Sequence, residues 1–255
     1  AVFGLEVQVL GRRRLTAVVP ALTASFVGNG VMHALRGHHT EYAPIRPDLS
    51  GSLIAGLVVA GVAFGIVGAS YPVLTHALKR RMARWFVWAP WRPFVGGLAT
   101  IALVLVFGHA YQGLSLPFLA DAMSGAGAVG VSVFALKLLF TVVAVGSGFF
   151  GGEVTPLFVV GATLGSALAT PVGAPPAVFA AAGLCAVFGA AANAPLTCIV
   201  MGVELFGWHM IVPLMITCLA AYAVSAPEGV YRSRRAHLAK VAVNLRKLRQ
   251  GSRRA

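Results

Sequence analysis

The chain has 255 residues, 58% of them hydrophobic and 11% charged. That is the composition of a membrane protein. The formal net charge of +13 would point to nucleic acid in a soluble domain. Here the basic residues gather at the ends of apolar segments, which reads as positive-inside topology.

Residues 1–10 read as the end of a helix, followed by the basic cluster Arg12, Arg13 and Arg14. The opening AVFGLEV is an apolar turn already in progress, and it predicts that an N-terminal half precedes it. Residues 15–35 are apolar and long enough to span. Residues 36–49 form a polar loop. Residues 50–78 are a long apolar run that ends at Lys79, Arg80, Arg81 and Arg84. Trp85, Trp88 and Trp91 follow as an interfacial aromatic cluster would. Residues 93–108 span again, 117–125 read as a short non-spanning helix, and 130–146 span. Four more apolar helices of unequal length are expected over 152–170, 174–192, 194–206 and 210–226. The tail from Arg232 is basic and amphipathic. It is expected near the membrane surface, with lipid and not nucleic acid as its contact.

The stretch from Val145 to Leu168 organises the rest. It breaks one apolar run with Gly146, Gly148, Gly151 and Gly152 and opens another at Pro156. Glycines let the backbone turn, and a proline in the first turn of a helix loses no hydrogen bond. A helix N-terminus at membrane depth, placed on Gly152, is an anion site by its unpaired N–H groups and its dipole. Irregular backbone at that depth must face protein or a water-filled cavity, and broken helices bind transported solutes. A plain interhelical turn explains the glycines equally well.

Val2-Phe3-Gly4-Leu5-Glu6-Val7 is echoed by Val200-Met201-Gly202-Val203-Glu204-Leu205, as internal repeats of transporters are. Cys185, Cys198 and Cys218 read as small buried hydrophobes, and the seven histidines show no ligand spacing. No metal and no cofactor are expected. Intramembrane acids such as Glu6 and Glu204 are rare and usually functional.

Several segments resemble the CLC family of chloride channels and anion/proton antiporters. Gly151-Gly152-Glu153-Val154-Thr155-Pro156 is similar to the family's anion-site motif. Asn193-Ala194-Pro195-Leu196-Thr197, followed by Glu204, is similar to its NAPLT segment and helix glutamate. Tyr231 falls where the family keeps the tyrosine that closes the anion path from the cytoplasmic side. The resemblance implies an all-α, multi-spanning inverted-repeat fold with broken and partly spanning helices. Residues 1–35 would end the first repeat, 50–226 would form the second, and 227–255 would be a cytoplasmic basic tail. It also implies a homodimer, using helices around 1–35 and 194–226, in the plasma (inner) membrane with the C-terminus in the cytoplasm.

Glu153 and Thr155 within that motif resemble the fluoride-exporting branch. Val7 adds to this, standing where chloride/proton antiporters keep an internal glutamate. The implied function is fluoride export coupled to protons, with chloride channel or chloride/proton antiporter as the alternative. Gly152, Glu153, Val154, Thr155 and Tyr231 are the anion-site candidates, with Glu153 as the proton-coupling group. A carboxylate beside a bound anion is unfavourable, so Glu153 would take up a proton when the anion is present. It could instead simply favour the helix dipole. Lys137 and Glu204 are secondary candidates. Lys137 would shape the field along the anion route, or snorkel to an interface. Glu204 is expected in a hydrogen-bonded helix-packing role. An intramembrane enzyme would need a nucleophile–base pair or a metal set at membrane depth. The sequence offers none, so no enzyme activity is expected.

Overall fold

The computed structural model describes residues 1–7, 14–35, 42–124, 130–226 and 229–231. Most of the Arg12–Arg14 cluster, part of the polar loop and the basic tail lie outside the described residues. Ten α-helices form the described part: α1 (Val2–Val7), α2 (Arg14–Ala34), α3 (Gly51–Trp85), α4 (Trp91–Phe107), α5 (Leu116–Ser124), α6 (Val131–Ser147), α7 (Val154–Val172), α8 (Pro176–Ala192), α9 (Pro195–Phe206) and α10 (Ile211–Val224).

The local sequence explains where the helices begin and end. Ser50 caps α3, its Oγ accepting from the Leu53 N–H at 3.2 Å. Such a cap satisfies one of the donors that every helix start leaves free. α3 does not stop at residue 78. It continues through Lys79–Arg84 to Trp85, because Lys and Arg are good helix formers and a helix can outrun the apolar layer. Arg92 covers the chain after its end, donating from Nε to the Phe86 carbonyl at 3.0 Å. α8 and α9 each begin with a proline in the first turn, where its fixed φ is already helical.

The core is built around α8. Its residues from Val178 to Ala192 are all buried, as expected of a helix that is apolar all round. α3, α7, α9 and α10 surround it. α7 and α8 touch backbone to backbone. A Cβ on Gly161 would collide with the Gly183 carbonyl, and one on Gly165 with the Phe179 carbonyl.

The outside is as apolar as the inside. Val19, Phe26, Val59, Leu105 and Val106 stand exposed on α2, α3 and α4. Continuous apolar surface of this kind is what lipid covers. α2, α3 and α7 contain stretches long and apolar enough to cross a membrane.

Candidate functional site

The site forms where α6 breaks and α7 begins. Gly148 ends α6 in the left-handed region (φ 108°), and its N–H donates to the Ala144 and Val145 carbonyls. A side chain there would be strained. Gly146, expected within the break, is still inside α6. Gly151 and Gly152 are exposed and Glu153 is half-buried. α7 starts at Val154, two residues after the expected start, and Glu153 is its N-cap residue. The first helical bond runs from the Leu157 N–H to the Glu153 carbonyl at 3.3 Å. By helix geometry the N–H groups of Val154 and Thr155 therefore lack intrahelical partners and lie at the positive end of the dipole.

The Glu153 side chain makes no capping bond to its own helix. Its charge bears instead on two phenol hydroxyls, those of Tyr231 and Tyr71. Tyr231 is delivered by Asn193, the left-handed residue that ends α8 (φ 54°). Asn193 Nδ2 donates to the Ala226 carbonyl at 3.1 Å. Its Oδ1 accepts from Ser225 Oγ, also at 3.1 Å. The Val230 N–H then donates to the Ala191 carbonyl at 2.8 Å. These bonds clamp the chain after α10 onto the end of α8. The Tyr231 ring meets Phe3 edge-on with centroids 5.5 Å apart, and Phe3 stacks on Phe188. Phe188 meets Phe158 of α7 edge-on. Burial, and after it the Glu153 charge, push the Tyr231 hydroxyl above the ordinary tyrosine range, so it stays a protonated donor.

Residues 1–226 match the family model described as voltage gated chloride channel. The chain belongs to this family, the CLC family. It is 39% identical over 244 residues to the "Chloride/fluoride channel protein" of Pseudomonas syringae pv. tomato, covering 92% of this chain and 53% of that one. It is 29% identical over 188 residues to the "H(+)/Cl(-) exchange transporter ClcA" of Yersinia pestis bv. Antiqua, covering 68% of this chain and 39% of that one. The chain thus spans about half or less of the length of these relatives. A crystal structure of a CLC-type fluoride/proton antiporter superposes with a TM-score of 0.84 at 35% identity, covering 90% of this chain and 58% of that one. The all-α CLC fold expected from the sequence is the fold observed, and the chain is a membrane protein.

The secondary candidates of this CLC chain sit elsewhere. Lys137 is buried on α6. Its Nζ donates to the Tyr111 carbonyl at 3.1 Å, the Gly113 carbonyl at 2.6 Å and Ser115 Oγ at 2.9 Å. It ties down the turn between α4 and α5, with all three donors engaged. Removing it would leave the buried Ser115 hydroxyl and two part-buried carbonyls without this partner. Lys137→Met should therefore destabilise the fold by on the order of 3 kcal/mol without changing which anion is preferred. The temperature at which buried Cys185, Cys198 and Cys218 become reactive to a thiol dye checks the first part. Flux selectivity checks the second.

Glu204 is exposed. It lines an open groove of about 790 Å³ together with Phe3, Val154, Phe158 and Phe188. Among the described residues it makes no hydrogen bond, contrary to its expected packing role. The carboxylate that ties helices together is Glu6. It accepts from the Leu196 N–H at 3.1 Å, the Thr197 N–H at 2.6 Å and Thr197 Oγ1 at 2.6 Å. Glu6 thereby caps α9, matching its charge to the positive helix end. The NAPLT segment does two jobs: Asn193 holds the Tyr231 segment, and Thr197 receives the Glu6 cap. Tyr71 of α3 was not among the expected site residues. It lies inside an apolar run and carries no local signal of a role.

Proposed function

We propose that this chain forms the second half of a halide transport pathway, and that the halide is fluoride, exported in exchange for protons. The observation that carries the reading is Glu153. It stands at the N-terminus of α7 without capping it, within electrostatic reach of the Tyr231 hydroxyl. Fluoride is small and strongly hydrated, so a site that strips its water must offer strong donors. The N–H groups of Val154 and Thr155 and the hydroxyls of Thr155 and Tyr231 are such donors. Gly152 keeps the approach open. Glu153 carries the proton, since a bound anion and an ionised carboxylate repel each other. The similarity to proteins named for fluoride supports the choice of halide.

The protein works as a homodimer in the inner membrane, in contact with lipid and with its basic tail in the cytoplasm. The exposed apolar residues of α9 and α10, among them Leu196, Ile211 and Leu219, suit the helix contacts of that dimer. The basic clusters that flank apolar segments in the sequence support the orientation by the positive-inside rule.

The test uses the complete gene product in liposomes loaded with fluoride or with chloride. Efflux is followed with an ion-selective electrode, with and without a pH gradient. Proton-driven fluoride efflux that exceeds chloride efflux is the expected result. Equal or greater chloride efflux returns the protein to the chloride channel or chloride/proton antiporter reading.

A further inference from the structure

Two hydroxyls are sealed inside the protein without a hydrogen-bond partner: Tyr71 Oη and Thr75 Oγ1. Tyr71 is 0% exposed and Thr75 3%. They stand four residues apart on α3, so their side chains share one face. A buried threonine in a helix ordinarily bonds the carbonyl four residues back. Thr141, Thr163 and Thr217 do so, at 2.8, 2.7 and 2.8 Å. Thr75 does not, although the Tyr71 carbonyl is its counterpart. Its hydroxyl is left beside the Tyr71 side chain instead. The other polar groups around Tyr71 Oη are the Glu153 carboxylate and the Tyr231 hydroxyl. Thr75 and the Glu153 carboxylate already stand close enough to act on Tyr71 Oη as side-chain partners, but neither completes a hydrogen bond with it.

An orphaned buried donor is unfavourable unless another arrangement satisfies it. The group that can satisfy it, the Glu153 carboxylate, already lies beside it. Glu153 makes no cap bond, and it is joined to the backbone by freely turning single bonds. We propose that Tyr71 and Thr75 form a docking place for the Glu153 carboxyl group, which it occupies when it turns away from the anion. In that position Tyr71 Oη donates to a carboxyl oxygen, and Thr75 Oγ1 donates to Tyr71 Oη and sets its direction. Glu153 docks there once it has taken up its proton, which leaves the α7 N-terminus to the halide. Tyr71 and Thr75 are positioning residues, acting on transport through Glu153. The proposal rests on the reading of Glu153 as the proton carrier.

The experiment measures protons moved per fluoride in liposomes containing the complete gene product. Its arms are Tyr71→Phe, Thr75→Val, Glu153→Gln and the double variant Tyr71→Phe with Glu153→Gln. Tyr71→Phe keeps the ring and removes only the donor. It should lower the protons moved per fluoride about threefold or more, and Thr75→Val should lower them less. In the Glu153→Gln background, Tyr71→Phe should add nothing, because both changes remove the same interaction. A purely structural Tyr71 would instead lower the thiol-dye unfolding temperature and the fluoride flux in either background. Loss of coupling in Glu153→Gln but not in Tyr71→Phe or Thr75→Val overturns the docking place alone. Full coupling in Glu153→Gln overturns the proton-carrier reading and the docking place with it. Should Tyr71→Phe not fold, Thr75→Val decides by the same ratio.

Discussion

Gly165→Val is expected to lower the unfolding temperature and the yield of folded protein in detergent sharply. The position is buried on α7, and any Cβ there runs into the Phe179 carbonyl of α8. A carbonyl is part of the backbone and cannot swing aside as the end of a side chain would. The two helices would have to part, and α8 is the helix on which the rest of the core packs. Overpacking in a close-packed interior typically costs about 1–3 kcal/mol, and a collision with backbone at the central contact belongs at or beyond the upper end, about 4 kcal/mol. Against a typical total of about 5–15 kcal/mol, that removes much of the margin. Gly151→Ala supplies the contrast. A Cβ there meets nothing within 4 Å, so the thiol-dye unfolding temperature should stay at the wild-type value. If Gly165→Val unfolds at the wild-type temperature too, the helices are not locked at this contact.

The two glycines also mark what the sequence made legible. Apart from the end of α3, glycine-rich punctuation and apolar length located the described helices to within a few residues, because hydropathy runs and breaks are local properties. The C-terminal end of α3 was misjudged for a local reason as well. Lys79–Arg84 signals the membrane boundary, but a helix does not end where the bilayer does. What local patterns cannot carry is contact across the chain. Glu6 caps residues more than 180 positions away, and Lys137 holds a turn more than 20 positions before it. Both acids of the internal echo looked alike in sequence, yet the fold uses Glu6 as a cap and leaves Glu204 on a groove wall. Tyr71 and Thr75 were invisible because an apolar helix gives a hydroxyl no context until its neighbours are known. Glu153, Thr155 and Tyr231 were found through family motifs. For Glu153 and Tyr231, the fold then supplied a reason to group them, since both lie beside the start of α7.

Glu153→Gln should remove proton coupling while leaving the fold intact. Glutamine matches glutamate in size but cannot exchange a proton. At a separation of about 4 Å and an effective dielectric constant of about 20, two like unit charges repel by about 4 kcal/mol. That is roughly a thousandfold in an equilibrium constant, enough for halide and ionised carboxylate to exclude each other almost completely. Protonation of Glu153 relieves the repulsion, so anion occupancy and proton uptake become linked. Without an ionisable group the linkage is gone, and the protons moved per fluoride should fall by about tenfold or more. Stability offers an independent check. If Glu153 served only the helix dipole, its neutralisation would lower stability by about 0.3–1 kcal/mol. With no cap bond to lose, the dye-reported unfolding temperature should fall by no more than that charge–dipole contribution allows. Coupling that survives the substitution, together with a lower unfolding temperature, would reassign Glu153 from the transport cycle to the helix end.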